Sequence, residues 1–162
     1  MKMKKWFGFL TLGLALVMLA ACGQKSTQEI IKTELKNSYV GQSNDSSYES
    51  TYFIAGSDTL TFDKKANTIT NNQGKKMYFS VLSKKNIPSE TQDIIDSLKG
   101  ELKNTDNFTI IISRHDKNPT KDQAEAAYQI ALSDGGKTIR IIELRRGYSA
   151  EGTHYDFKGT AE

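Results

Sequence analysis

The chain predicts a mainly β fold, a barrel or a sandwich built from consecutive hairpins, and three observations lead there. From residue 58 onward, apolar side chains recur with a period of two over several stretches. Short polar turns, several of them bearing glycine, separate those stretches at hairpin distances. One stretch, 89–103, carries a clear helical stripe, which leaves α+β as the alternative class.

Taken in order, the elements begin with "QEIIKTELKN", where Ile30, Ile31 and Leu35 fall at helical spacing and predict a short helix. On either side of it the composition is small and polar, at 23–27 and again in "GQSNDSSYES" at 41–50. Such segments read as linker, so residues 22–47 are expected to form a polar tether and 48–162 a single β-rich domain starting near Tyr48. Within that domain "DTLTFDKKANTIT" (58–70) places Leu60 and Phe62 on one face before a polar turn, a hairpin. Met77, Phe79 and Val81 then share one face of a strand, as do Phe108, Ile110 and Ile112 in "FTIIISR".

In "IPSETQDIIDSLKGEL", Ser89 followed by Gln92 reads as a capping box ahead of the stripe Ile94, Ile95, Leu98 and Leu102. That apolar face is expected on the sheet or across one end of a barrel. Residues 120–127 could add a helical turn, in competition with the alternation that starts at Tyr128. "YQIALSDGGKTIRIIEL" gives the clearest hairpin, with Tyr128, Ile130 and Leu132 facing one way and Asp134, Gly135 and Gly136 tolerating the positive φ of a tight turn. Its second strand is apolar on both faces, Ile139 and Ile141 on one and Ile142 and Leu144 on the other. Either a β-bulge near Ile141 or a strand covered on both sides explains that. "THYDFKG" closes the chain with Tyr155 and Phe157 alternating with His154, Asp156 and Lys158, the latter three on a polar face. An ungapped correspondence between 60–70 and 130–140 suggests either a duplicated half or two hairpins with similar turns.

Ahead of these elements Lys2, Lys4 and Lys5 precede an apolar run from Trp6 to Ala20, the layout of a secretory signal too short for a stable span. It ends on Leu19-Ala20-Ala21-Cys22, which resembles the lipobox of bacterial lipoproteins. The resemblance implies that residues 1–21 are removed, that Cys22 becomes the N-terminus and that its sulfur carries a diacylglyceryl group. Several acyl chains on one residue give firm membrane attachment where a single chain gives a marginal one. Cys22 is the one cysteine of the chain, so no thiol is then left for catalysis, a disulfide or a metal. Removing the signal takes three lysines from 22 basic residues and leaves 19 against 19 acidic ones, no basis for binding nucleic acid.

Chemistry-bearing patterns are sparse. With two histidines and no GxSxG elbow, a catalytic triad would need His115 or His154 with an unmarked serine. Arg114-His115-Asp116 lacks the further histidines of a metal-dependent phosphohydrolase and reads as a polar loop. "SDGGKT" joins two strands and opens no helix, so it is no phosphate loop. No cofactor is implied, and the domain is expected to be no enzyme. Arg140, Arg145, Arg146 and Tyr148 form a local basic patch that either binds an anionic group or keeps an edge strand soluble. Phe62, Phe79, Tyr128 and Phe157 would line a cavity if the barrel is hollow, and otherwise fill its core.

Signal, lipobox, polar tether and a β-rich body together resemble the small lipoproteins of Gram-positive bacteria. The hairpin order, the amphipathic helix and the closing aromatic strand are similar in pattern to lipocalin-like small barrels. These resemblances imply a protein held on the outer face of the cytoplasmic membrane, a binding module for a small apolar ligand or an envelope partner protein. Two alternatives come from other classes: "LALVMLA" (14–20) resembles peptide pheromones clipped from lipoprotein signals, and an envelope enzyme would depend on His115 or His154.

Overall fold

A computed structural model describes residues 25–44, 52–145 and 154–162. Eight antiparallel strands follow one another around a closed barrel: β1 (Ser38–Ser43), β2 (Ser57–Asp63), β3 (Thr68–Thr70), β4 (Lys76–Leu82), β5 (Asp106–Ser113), β6 (Ala126–Ser133), β7 (Thr138–Glu143) and β8 (Asp156–Ala161). The mainly β class holds, and the barrel is the form it takes. Closure is made by β1, which pairs with β2 on one side and with β8 on the other. Here the structure corrects the tether: residues 38–43, polar enough to read as linker, are a full strand. Its burial alternates, with Tyr39 and Ser43 inside and Val40 outside, but Gly41 and Gln42 break the apolar period that would reveal it.

The alternating residues predicted to face inward do so. Leu60, Phe62, Met77, Phe79, Phe108, Ile110, Ile112, Tyr128, Ile130, Leu132, Ile139, Ile141 and Phe157 join one buried cluster with Tyr39, Phe53 and Tyr155. The rings meet at close quarters: Phe53 stacks on Tyr155 at 4.9 Å and meets Tyr128 edge-on at 5.0 Å. An eight-stranded barrel has an interior that side chains of this size fill. Phe62, Phe79, Tyr128 and Phe157 are therefore core residues.

A short helix, α1 (Thr27–Thr33), precedes β1 and is capped by the Ser26 side chain, which accepts from the Glu29 amide at 3.2 Å. It sends Ile30 and, just beyond its end, Leu35 into the barrel core. Tyr39 ties this corner to the β6–β7 turn, accepting from the Lys36 amide at 2.9 Å and donating to the Gly136 carbonyl at 3.0 Å. The backbones touch there: a Cβ on Gly136, whose φ is 78°, would stand 1.7 Å from the Glu34 carbonyl oxygen. Asp134 and Gly135 take the positive φ foreseen for this turn.

The second helix, α2 (Ser89–Ser97), is shorter than its stripe, and its N-cap is Pro88 with no side-chain cap bond, so the predicted capping box at Ser89 is not formed. Leu98 and Leu102 complete the apolar face from the turns that follow. With Ile94 and Ile95 beside them, they pack on Ala131, Ile142 and Leu144. These lie on the outer face of β6 and β7, so the helix covers the flank of the barrel. The two-faced strand is thereby explained: the β6–β7 register runs unbroken through Ile130↔Ile141 and Gln129↔Ile142 with no bulge. Between β5 and β6 only a single 3₁₀ turn forms, Lys121–Gln123, where Thr120 and Gln123 cap each other reciprocally. The two similar segments are both hairpins, β2–β3 and β6–β7, but their turns differ, with Asp134, Gly135 and Gly136 at positive φ in one and Asn67 alone in the other.

Candidate functional site

On the outside of the barrel the strand register lines up two rows of side chains. Ala131, Arg140, Lys158, Gln42 and Ser57 form one across β6, β7, β8, β1 and β2. Ser133, Thr138, Thr160, Val40 and Thr59 form the next. Both belong to the outward face because their strand neighbours Leu132, Ile139 and Phe157 fill the core. Glu101 and Thr105, from the connection between α2 and β5, rise beside them, and all of these but Thr59 line a groove of about 600 Å³. Val40, 45% exposed, is the exposed large apolar side chain among the described residues and sits in this groove. Two smaller hollows lie against α2, of about 330 and 210 Å³.

Arg140 is held firmly. Its Nε donates to Asp156 Oδ1 at 2.8 Å and its Nη2 to Asp156 Oδ2 at 2.6 Å, a bidentate pair, while Nη1 donates to Glu101. The hydrogen bonds to Asp156 hold the guanidinium above its ordinary range, against the opposing effect of burial. Two carboxylates thus already use the fork that an anionic ligand would need. The groove's accessible cation is Lys158, exposed on the strand beside it.

This arrangement corrects two expectations. Arg140 protects no edge strand, since β7 pairs on both sides in a closed barrel. His154 and Asp156 do not lie on a solvated face, being 6% and 5% exposed, whereas Lys158 is exposed as predicted. Arg145 lies two residues beyond the end of β7 and outside the groove's lining. Cys22, Arg146 and Tyr148 lie outside the described residues. Local sequence does not reveal Glu101 and Asp156 as the partners of Arg140, because Glu101 comes from the turns after α2 and Asp156, on the next strand, reads as part of a solvated face.

His115 is exposed in the loop that leaves β5, and its amide donates to Ser113 Oγ at 3.2 Å. The same hydroxyl serves Asp116 and Glu125, so this region is a hydrogen-bonded loop, as predicted. Among the described residues no group of three or more histidine, cysteine, aspartate or glutamate side chains could hold a metal ion. At the end of the barrel opposite α1, Asp58 points inward. Its Oδ1 accepts from the Thr59 amide at 2.7 Å and the Asn72 amide at 3.0 Å, while Oδ2 is buried without a hydrogen-bond partner. Burial raises the Asp58 carboxyl, and burial with the nearby charge of Asp58 raises the Tyr155 phenol.

The fold and groove define a small up-and-down β-barrel with a filled interior and an open concavity of mixed polar and apolar lining on its flank. Comparison with known proteins finds no family model, no curated protein and no solved structure that matches the chain.

Proposed function

We propose that the chain is a non-catalytic lipoprotein, anchored through Cys22 on the outer face of the cytoplasmic membrane, that binds an envelope partner protein in the groove around Arg140. The signal-like run and the Leu19-Ala20-Ala21-Cys22 lipobox support the anchor. Between the two ligand classes that the sequence left open, one observation favours the partner protein. The interior where a small apolar ligand would sit is occupied by Tyr39, Phe53, Tyr128, Tyr155 and Phe157, all at most 2% exposed. The open concavity instead combines hydrogen-bonding side chains, among them Gln42, Ser57, Thr105 and Thr138, with the apolar Val40, Ala131 and Ile139.

Metabolic labelling with an alkyne palmitate tests the anchor: label is expected on the wild type and lost in Cys22→Ala. For the groove, a photoreactive amino acid at position 40 is expected to give a discrete cross-linked species on the producing cell, weakened by Lys158→Glu. The same probe at Gly100, outside the groove's lining, is expected to give none. Equal cross-linking at both positions refutes the groove as the binding surface.

A further inference from the structure

We propose that the α1 end of the barrel lies against the phospholipid bilayer, held there by a tether three residues long; this rests on Cys22 being the lipid anchor. The observation that carries it is that the barrel already engages the chain at Lys25. Sequence composition allots 22–47 to a tether, but residues 25–44 belong to the fold. Lys25 is fastened to the barrel by Glu34 at 2.7 Å and Asp106 at 3.2 Å, the first just past α1 and the second at the start of β5. One residue further on, Ser26 caps α1.

Covalent geometry then limits the domain. From Cys22 to Lys25 an extended chain spans at most about 11 Å. The eight residues of β5 rise about 26 Å along the strand, which at a tilt near 40° makes the barrel wall about 20 Å tall. A leash half the height of the body it holds cannot bring the opposite end to the same surface. The α1 end faces the bilayer, and the turn between β3 and β4, with Asn72 and Gln73, points away from it.

The charges at this end suit a surface of anionic headgroups. Lys32 on α1 and Lys85 in the 3₁₀ turn after β4 are exposed, and Lys36 extends along the last turn of α1. Thr27 and Lys84 line one hollow, which places that 3₁₀ turn beside α1. The acids at this end are Glu29, Glu34, Asp63, Asp106, Asp134 and Glu162. Glu34 and Asp106 are engaged by Lys25, and the exposed Lys65 and Lys137 in the adjoining turns offset Asp63 and Asp134, which leaves Glu29 and Glu162 against Lys32, Lys36, Lys84 and Lys85. Juxtamembrane lysines each add about 1 kcal/mol of attraction to an anionic leaflet. The groove around Arg140 opens on the flank, where a partner embedded in or lying on the same membrane can reach it.

The test uses the full chain, made in a host that acylates it and reconstituted into vesicles of phosphatidylcholine and phosphatidylglycerol. With the Cys22 sulfur acylated, Lys32→Cys and Gln73→Cys each introduce one reactive thiol for a fluorophore. A headgroup-attached nitroxide is expected to quench the label at 32 several-fold more than the label at 73. Equal or reversed quenching on protein that floats with the vesicles overturns the orientation and leaves the anchor standing. Failure of the wild type to float overturns the anchor and this inference with it. A flexible Gly/Ser insertion of about 15 residues after Gly23, with a root-mean-square reach near 20 Å, is expected to erase most of the contrast. An undiminished contrast overturns the short tether as its cause.

Discussion

The seam that closes the barrel depends on Gly41. It pairs with Gly159 of β8, and a Cβ built on it would stand 2.1 Å from the Lys158 carbonyl oxygen and 2.5 Å from the Gly159 Cα. Both obstacles are backbone, so no side chain can rotate aside. To reach ordinary van der Waals separation the two strands must part by roughly 1 Å, enough to break ladder hydrogen bonds that need N···O near 2.9 Å. Overpacking alone costs about 1–3 kcal/mol, and losing two ladder bonds adds about 1 kcal/mol each. Gly41→Ala should therefore lose about 3–5 kcal/mol. At about 3 °C per kcal/mol for a domain of this size, its Tm falls by about 10–15 °C. Gly100→Ala is the control, because its Cβ would meet nothing within 4 Å and its φ is not in the positive range. The assay is urea denaturation followed by circular dichroism, with the slope compared between variants to confirm a common two-state transition. A Gly41→Ala midpoint within about 1 kcal/mol of wild type, on the same assay, would refute the tight β1–β8 seam.

Three further outcomes follow from the same geometry. Asp58→Asn should gain about 1 kcal/mol at neutral pH by replacing a buried carboxylate whose Oδ2 has no partner. Burial raises the Asp58 pKa in the folded state, so the wild type is stabilised by protonation and loses that stability as pH rises through the folded-state value. The advantage of the Asp58→Asn variant should accordingly shrink as denaturation is repeated toward pH 4, near the unfolded carboxyl value, and an advantage that grows instead would contradict it. Arg140→Ala strands the nearly buried Asp156 carboxylate and should cost about 2–3 kcal/mol, while the double variant with Asp156→Ala should cost less than Arg140→Ala alone. Leu98→Ala, at a fully buried position beneath the helix, should cost about 2–4 kcal/mol while leaving the near-ultraviolet signal of the barrel tyrosines intact.

How legible this was depended on how each element meets water. Strand β2, with one face in the core and the other toward water, shows itself through alternation. Strands β5 and β6 are buried on both faces over most of their length, yet Thr109 and Gln129 on their outer sides are polar enough for the sequence to orient Ile110 and Tyr128. Strand β7 is apolar on both faces because α2 covers its outer side, and alternation alone could not distinguish that from a bulge. Strand β1 was missed because its contribution to closure is backbone proximity, which demands Gly41 where a pattern search expects an apolar residue. In the candidate site, Arg140 was singled out from local charge, but its state is set by Glu101 and Asp156, brought to it by the topology. The burial of His154 and Asp156 came from the same source: a polar face reads as solvated unless one knows what packs over it.

The central claim is that the barrel interior is packed with the protein's own side chains and that recognition takes place on its outer flank. Native mass spectrometry tests it most directly, on the chain from Gly23 onward, before and after incubation with a lipid and metabolite extract of the producing cell. The account predicts the bare polypeptide mass in both spectra. An adduct of defined mass, abolished by enlarging an inward residue as in Ile130→Trp, would place a ligand inside the barrel and contradict it.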